Sequence, residues 1–480
     1  RMGFFHCEVM FIERLSRLGS IFVSPFPKDP ILSKSPVLSK SPMIGLTLCL
    51  YLMSTIQVGA ITLLRDAGIE HALSQLAAPI LRSAGLSPTR VRILVVDDSK
   101  LNAFVVDNRT IFLNYGLIQR VQSAGALQAV IGHEAAHIAN GHIARRMSNM
   151  QSARTAAGLG MLLAVVAAAA GSTEAAGGIA AGTSSSALRS FLKHTRTEEA
   201  AADRTAASYL RSAGISPQGL VDLHQIFYGQ EALSVGRQDP YMQSHPLTRD
   251  RIRAAQAYVA AYGGSAKADP ESEYWFSRAR GKLSAYNRAP KWTLRRAHEE
   301  NSDDIRLMRE AVAYHRNRDL APALRAIDAA IALRPDDAYY YDLKGQILME
   351  SRKTTSAIAA YRTAVSLAPG EAMIQGGYGR AILASGQPKT ALGPLEKSRS
   401  RDFRDTRVLR DLSLAYAKTG QTGMAAMVTA ERYALQGRMP DAGRQARRAS
   451  NLLPRGSAPW QRAQDVLIAA ERFEKRKKKR

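Results

Sequence analysis

A 34-residue period in the second half is the tightest constraint on what this chain can fold into. Alanines stand at 323, 357, 391 and 425, and Ala311, Gly345, Gly379 and Ser413 recur in step twelve residues before them. Ala330 and Ala364 keep the same period, as do Pro335 and Pro369. Small residues at two fixed points let paired helices cross closely, and a proline after the second helix stops it. The period therefore asks for stacked helix pairs, an α-solenoid over residues 301–456 with a concave face open to peptides or partner proteins. A shifted unit ends the array. Ala430, Ala442, Ala449 and Pro454 keep the internal 12-7-5 spacing but start 17 residues early, as though one helix were shared.

The chemistry lies upstream. Residues 133–137 read His-Glu-Ala-Ala-His. Two histidines four apart on a helix lie one turn from each other on one face, where both imidazoles can grip one metal ion. Glu134 is placed to take a proton from a water that the metal has made acidic. Ala126, Leu127, Ala129, Val130 and Ile131 make the approach apolar. A buried segment of that kind needs a reason to hold three polar groups.

A zinc site needs a third protein ligand. The metzincin pattern places glycine and histidine where this chain has Asn140 and Ile143, so that pattern fails. Residues 195–203, Thr-Arg-Thr-Glu-Glu-Ala-Ala-Ala-Asp, read instead as the start of a second helix, with Thr195 as N-cap and Glu198 as its capping-box partner. Glu199 and Asp203 then share a face. Glu199 completes a set of two histidines and one glutamate with a fourth position open, and one zinc ion per chain is the expected cofactor. Asp203 is spaced to hydrogen-bond a ligand imidazole. His142, after the helix stop at Gly141, reads as a cap or a support for a ligand rather than a ligand. Residues 91–96 and 102–113 read as strands, with a hairpin around Asp107-Asn108.

HEAAH at 133–137, followed by Arg196, Glu199, Ala202 and Asp203, resembles the gluzincin metallopeptidases of the HtpX and CAAX-prenyl-protease superfamily. Asn102-Ala103-Phe104 and Gly116-Leu117-Ile118 resemble the blocks that precede its active site. Ser244-His245-Pro246-Leu247 with Arg251 resembles a later one, so that the likeness spans roughly residues 61–260. Gly132 departs from the pattern, where the family often has alanine. The resemblance implies a zincin-like α+β metalloprotease domain that hydrolyses peptide bonds, with an edge strand near the zinc helix pairing with extended substrate backbone. It gives His245 two roles, donor to the oxyanion or fourth zinc ligand that holds the enzyme latent, beside the plainer reading of a turn histidine satisfying nearby backbone. The 34-residue units resemble tetratricopeptide repeats. Both halves together resemble the BepA-type periplasmic proteases, which implies protein or peptide substrates, outer-membrane protein quality control and contact with outer-membrane assembly machinery.

The expected architecture is mainly α with a small β-sheet, a zincin-like α+β metalloprotease domain followed by an α-solenoid of tetratricopeptide-like repeats. Its segments are a leader and signal peptide at 1–60, the metalloprotease domain at 61–262, a linker and connecting helix at 263–300, the repeats at 301–456, and a C-terminal helix and basic tail at 457–480. The apolar run from Met43 to Val58, preceded by Lys28, Lys34 and Lys40 and ending near Val58-Gly59-Ala60, reads as a secretory signal and a periplasmic address. Cys7 and Cys49 both precede that cut, so the mature chain would have no thiols. In the connecting segment, Tyr274, Trp275, Phe276, Leu283 and Tyr286 suggest an amphipathic helix packed on a domain. Residues 156–170 are apolar all round but short for a span, which suggests a hairpin or lid beside the site or dipping into lipid. A net charge of +25 implies anionic company, including a membrane surface. No zinc knuckle, aromatic-basic platform or helix-turn-helix accompanies it, so nucleic acid is not an expected partner. The alternative function is a chaperone or assembly scaffold with a latent or vestigial metal site; an intact Glu134 favours the enzyme.

Overall fold

The computed structural model describes residues 62–146, 195–234, 237–263 and 269–477. The residues read as a leader, with both cysteines, the alanine-rich stretch at 156–187 and the last three residues of the basic tail lie outside the described residues. Among those described, no helix is long and apolar enough to cross a membrane.

A four-stranded sheet backs the N-terminal half. Its strands are β1 (Leu63–Leu64), β2 (Arg92–Val96), β3 (Ala103–Val105) and β4 (Thr110–Asn114), in the order β1-β2-β4-β3. β2 runs parallel to β4, while β1 and β3 pair antiparallel with β2 and β4 respectively. The hairpin between β3 and β4 turns where Asp107 Oδ1 accepts from Arg109 N at 2.8 Å, a side-chain substitute for a backbone turn. In that order β3 is an edge strand, as expected, and it packs beside the helix that carries residues 133–137.

Among the described residues, helices α1 (Ala67–Ser83), α2 (Tyr115–Arg120), α3 (Ala124–Ala139), α4 (Arg196–Ser212), α5 (Gln218–Phe227), α6 (Pro240–Ser244) and α7 (Arg249–Tyr262) belong to this half. Asp66 caps α1 by accepting from Ile69 N at 2.9 Å, and Ile69, Leu73, Leu76 and Ile80 form its buried stripe. α3 is buried on every side from Ala126 to Ile138. A helix buried all round lies at the centre of its domain, with α1, α4 and α5 packed on it. α4 begins with the capping box read from the sequence: Thr195 Oγ1 accepts from Glu198 N, and Glu198 Oε2 from Thr195 N, both at 3.1 Å.

The repeat half consists of helix pairs. α8 (Pro270–Asn287) and α9 (Pro290–Arg296) lead into α10 (Asp303–Arg316), α11 (Leu320–Leu333), α12 (Ala338–Glu350), α13 (Thr354–Leu367), α14 (Ala372–Ala384), α15 (Pro388–Arg401) and α16 (Thr406–Lys418). α17 (Thr422–Leu435) packs on α16 before it and α18 (Met439–Leu452) after it, so one helix does serve two pairs; α19 (Ala458–Lys477) closes the stack. The small-residue column marks the helix crossings. A methyl added at Gly345 would stand 2.7 Å from the Tyr361 ring, and one at Gly379 would stand 2.6 Å from Leu395 Cγ. The turn inside each pair keeps the period as well, with left-handed backbone at Arg318, Arg352, Gly386 and Gly420.

Charge pairs join the halves. α8 packs against α1, α3 and α10. Its Lys282 donates to Asp66 at 2.8 Å, and Arg278 grips Asp337 through two hydrogen bonds. Arg65 and Arg92 converge on Asp402 at 2.9 and 3.1 Å. His71 stacks on Tyr339 and shares a 2.8 Å hydrogen bond with its hydroxyl. Asp342 is buried near this seam, and burial, only partly offset by Lys282, pushes its carboxyl up to about 7. A carboxyl raised in the folded state stabilises below its unfolded pKa, and that contribution is lost as pH rises through the folded one. Between about pH 4 and 7, thermal unfolding of the native protein should lose stability relative to Asp342→Asn. Parallel pH profiles for the two proteins would contradict this reading.

Candidate metal centre

Three elements bring the predicted residues to one point. α3 supplies His133, Glu134 and His137, α4 supplies Glu199 and Asp203, and His245 follows α6. His133, His137, Glu199 and His245 form a buried group able to hold a metal ion. His133 Nε2 lies 3.1 Å from His137 Nε2, 3.4 Å from Glu199 Oε2 and 3.3 Å from His245 Nδ1. Glu199 Oε1 lies 3.4 Å from His137 Nε2 and 3.0 Å from His245 Nδ1. Ligand atoms about 2.0–2.1 Å from a tetrahedral zinc are about 3.3–3.4 Å apart, so the spacing fits such an ion. Both oxygens of Glu134 are buried without a hydrogen-bond partner, and the nearer lies 3.5 Å from His245 Nε2. A carboxylate left so inside a protein suits a site that takes up a further group.

Each ligand is oriented from behind. Asp203 Oδ1 accepts from His133 Nδ1 at 2.9 Å, which turns Nε2 toward the centre. His137 Nδ1 lies 2.8 Å from Nδ1 of the buried His142, with one of the two donating. Arg251 donates to Asp203 through Nε (2.6 Å) and Nη2 (2.9 Å), lies 2.8 Å from Glu199 Oε2, and donates to the Pro246 carbonyl at 2.9 Å. Burial works against charge on every one of these groups. It raises Glu134, which suits a group that must take and return a proton. Against burial, His245 and Arg251 hold Glu199 well below the usual carboxylate range. Burial likewise lowers His137, while the Glu199 and Asp203 carboxylates overcome it at His133 and carry that imidazole up to about 10.

The sequence offered less for the surrounding shell. Arg251 was legible as part of a motif but had no assigned partner, because its carboxylates lie some fifty residues away on α4. Tyr241 had no signal at all. Its ring stacks on His245 at 4.6 Å and on Phe227 at 4.8 Å, and its buried hydroxyl has no hydrogen-bond partner. His224, also unsignalled, is buried 3.7 Å from Asp203 Oδ2, and burial lowers it to about 4. The departure at Gly132 is benign: a methyl there would meet Ile80 and Ala206 at 3.6 and 3.7 Å, ordinary contact distances.

Two histidines one helical turn apart on α3 and Glu199 from α4 around one buried point, with Glu134 beside them, suit a metallopeptidase. Residues 64–259 match Peptidase family M48, and residues 308–372 and 343–405 match the tetratricopeptide repeat. The chain thus joins an M48 metallopeptidase domain to tetratricopeptide repeats. It is 22% identical over 393 residues to the beta-barrel assembly-enhancing protease of Escherichia coli K12, covering 80% of this chain and 79% of that protein. The metalloprotease LoiP of the same organism is 29% identical over 199 residues, 41% of this chain and 74% of that one. Among solved structures, a MamA double mutant is matched over 33% of this chain and 92% of its own, at 19% identity and a TM-score of 0.30.

Replacing Asp203 with alanine should release the His133 ring and weaken zinc binding by about 10–100-fold in a chelator competition. Unchanged affinity would mean that Asp203 does not orient the His133 ring for metal binding.

Proposed function

We propose that the protein is a zinc-dependent endopeptidase whose ion is held by His133 Nε2, His137 Nε2 and the Glu199 carboxylate. The observation that carries this reading is the spacing of those atoms around one buried point, with unpartnered Glu134 beside it. Zinc bound there supplies Lewis acidity, polarising a peptide carbonyl and making a water molecule acidic enough to lose its proton near neutral pH. The remaining work belongs to the chain. Glu134 accepts the proton as the oxygen adds to the carbonyl carbon, then passes it to the leaving amine nitrogen. Asp203 and His142 hold the imidazoles in the rotation and tautomer that ligation needs. Arg251 keeps Glu199 and Asp203 ionised inside the protein.

His245 Nδ1 lies among the ligand atoms at 3.3 Å from His133 Nε2, the place a fourth ligand would take. His245 is therefore assigned the latent position, and it must withdraw before a substrate carbonyl can enter. Once displaced, its imidazole can donate to the carbonyl oxygen as that atom gains charge. The edge strand β3 runs beside α3 and offers extended peptide a backbone to pair with.

The repeats recruit substrates or partner proteins to this site. Relatives named for enhancing β-barrel assembly support placing the substrates among outer-membrane proteins in quality control. The apolar run near Met43–Val58 supports secretion to the periplasm, and the net charge of +25 supports contact with anionic membrane surfaces or acidic partners.

Glu134→Gln keeps the shape of the side chain but cannot take the proton. Peptide hydrolysis should fall by about 10²–10⁴-fold in this variant while its zinc content stays at that of the parent. Undiminished hydrolysis would remove Glu134 from the chemistry.

A further inference from the structure

The cations that cross the seam are matched by carboxylates, as Arg278 is by Asp337 and Lys282 by Asp66. Those on α9 and in the turn before it are not. Arg288, Lys291, Arg295 and Arg296 are all exposed. Among the described residues the first three have no carboxylate within ion-pair distance, and Arg296 has only Glu299, at 3.6 Å. At about 100° per residue, Lys291, Arg295, Trp292 and Arg296 occupy one side of α9, while Thr293 and Ala297 occupy the other. Those two are buried, 0% and 1% exposed, where α9 packs on α10. The cations gather around the half-buried indole: the Arg288 and Arg296 guanidinium carbons lie 5.4 and 5.3 Å from the Trp292 ring centre. Arg316 of α10 fixes the preceding turn, donating to the Ala285 carbonyl at 2.7 Å and to the Arg288 carbonyl.

We propose that this side of α9 is a docking surface for an anionic membrane, with Trp292 entering the headgroup layer and Arg288, Lys291, Arg295 and Arg296 meeting lipid phosphates. The surface gives a place to the membrane contact that the net charge supports, and rests on that reading; it is separate from the metal centre. Three of the four cations turn toward phosphate without breaking an ion pair. Each Lys or Arg close to an anionic lipid surface is worth about fivefold in binding. The same charges would attract an acidic protein, but the indole set among them favours lipid. It joins an apolar body to one N–H donor, the combination that settles between headgroups and acyl chains. α9 lies in the chain between α8, which packs on the catalytic half, and α10, which begins the repeats. Docking there holds both halves at the lipid surface.

The test is cosedimentation of the full chain with vesicles of phosphatidylcholine alone or mixed with phosphatidylglycerol. The native chain should bind the mixed vesicles and not the neutral ones. Replacing Lys291 and Arg295 together with glutamine should weaken that binding by about tenfold or more and leave thermal unfolding unchanged, because both side chains are exposed. Bromine on the acyl chains reports depth. It should quench part of the emission of the three tryptophans, and that part should vanish in Trp292→Phe. Equal binding by the glutamine variant, or quenching that is absent or that survives Trp292→Phe, would overturn the α9 surface while membrane contact elsewhere on the chain stands. A native chain that ignores the mixed vesicles, whether or not it captures poly-glutamate, would overturn both.

Discussion

The Arg251 guanidinium ties Glu199 to Asp203 and to the Pro246 carbonyl, and the metal centre depends on that tie. A carboxylate deprived of water takes up a proton unless a cation stands beside it, and a protonated Glu199 is a poor ligand. Arg251 prevents that for Glu199 and does the same for Asp203, which in turn fixes the His133 ring. The guanidinium is itself buried, so its own charge is tolerated only because two carboxylates share it. By holding Pro246 it also sets the turn that carries His245. α3, α4 and the loop after α6 therefore meet around one cation donated by α7. Removing it would leave two buried carboxylates uncompensated before any metal could bind.

Features set by local spacing could be read directly from the sequence. The pentad demanded a helix that presents two imidazoles on one face, and α3 is that helix. Thr195 and Glu198 announced the start of α4 through a capping box that depends on four consecutive residues. The 34-residue columns located helix crossings whose contacts with Tyr361 and Leu395 admit no side chain. Even the shared helix of the last unit was visible, because the phase of the small residues jumped. The stacking of Tyr241 on Phe227 and the approach of His224 to Asp203 were beyond reach. Each is a pairing of residues on different elements, and neither partner carries a local pattern that names the other.

Residues 263–300 illustrate the same limit. Charged positions such as Arg278 and Lys282 look solvent-facing in a sequence whose aromatic residues set the helix stripe. In the fold they point across to Asp337 and Asp66, and α8 is buried between the catalytic half and the first repeats. A seam built from ion pairs gains its specificity from geometry, since each buried charge must find its one partner. The cationic excess of the chain is thus partly internal: several arginines hold the two halves together rather than facing an external anion.

Zinc K-edge X-ray absorption on the metal-loaded chain tests the central claim most directly. The account predicts one zinc with nitrogen and oxygen ligands at about 2.0–2.1 Å, the imidazole contribution corresponding to His133, His137 and His245, and one imidazole fewer in His245→Ala. A chain that takes up no zinc, or an imidazole contribution that His245→Ala leaves unchanged, would contradict it.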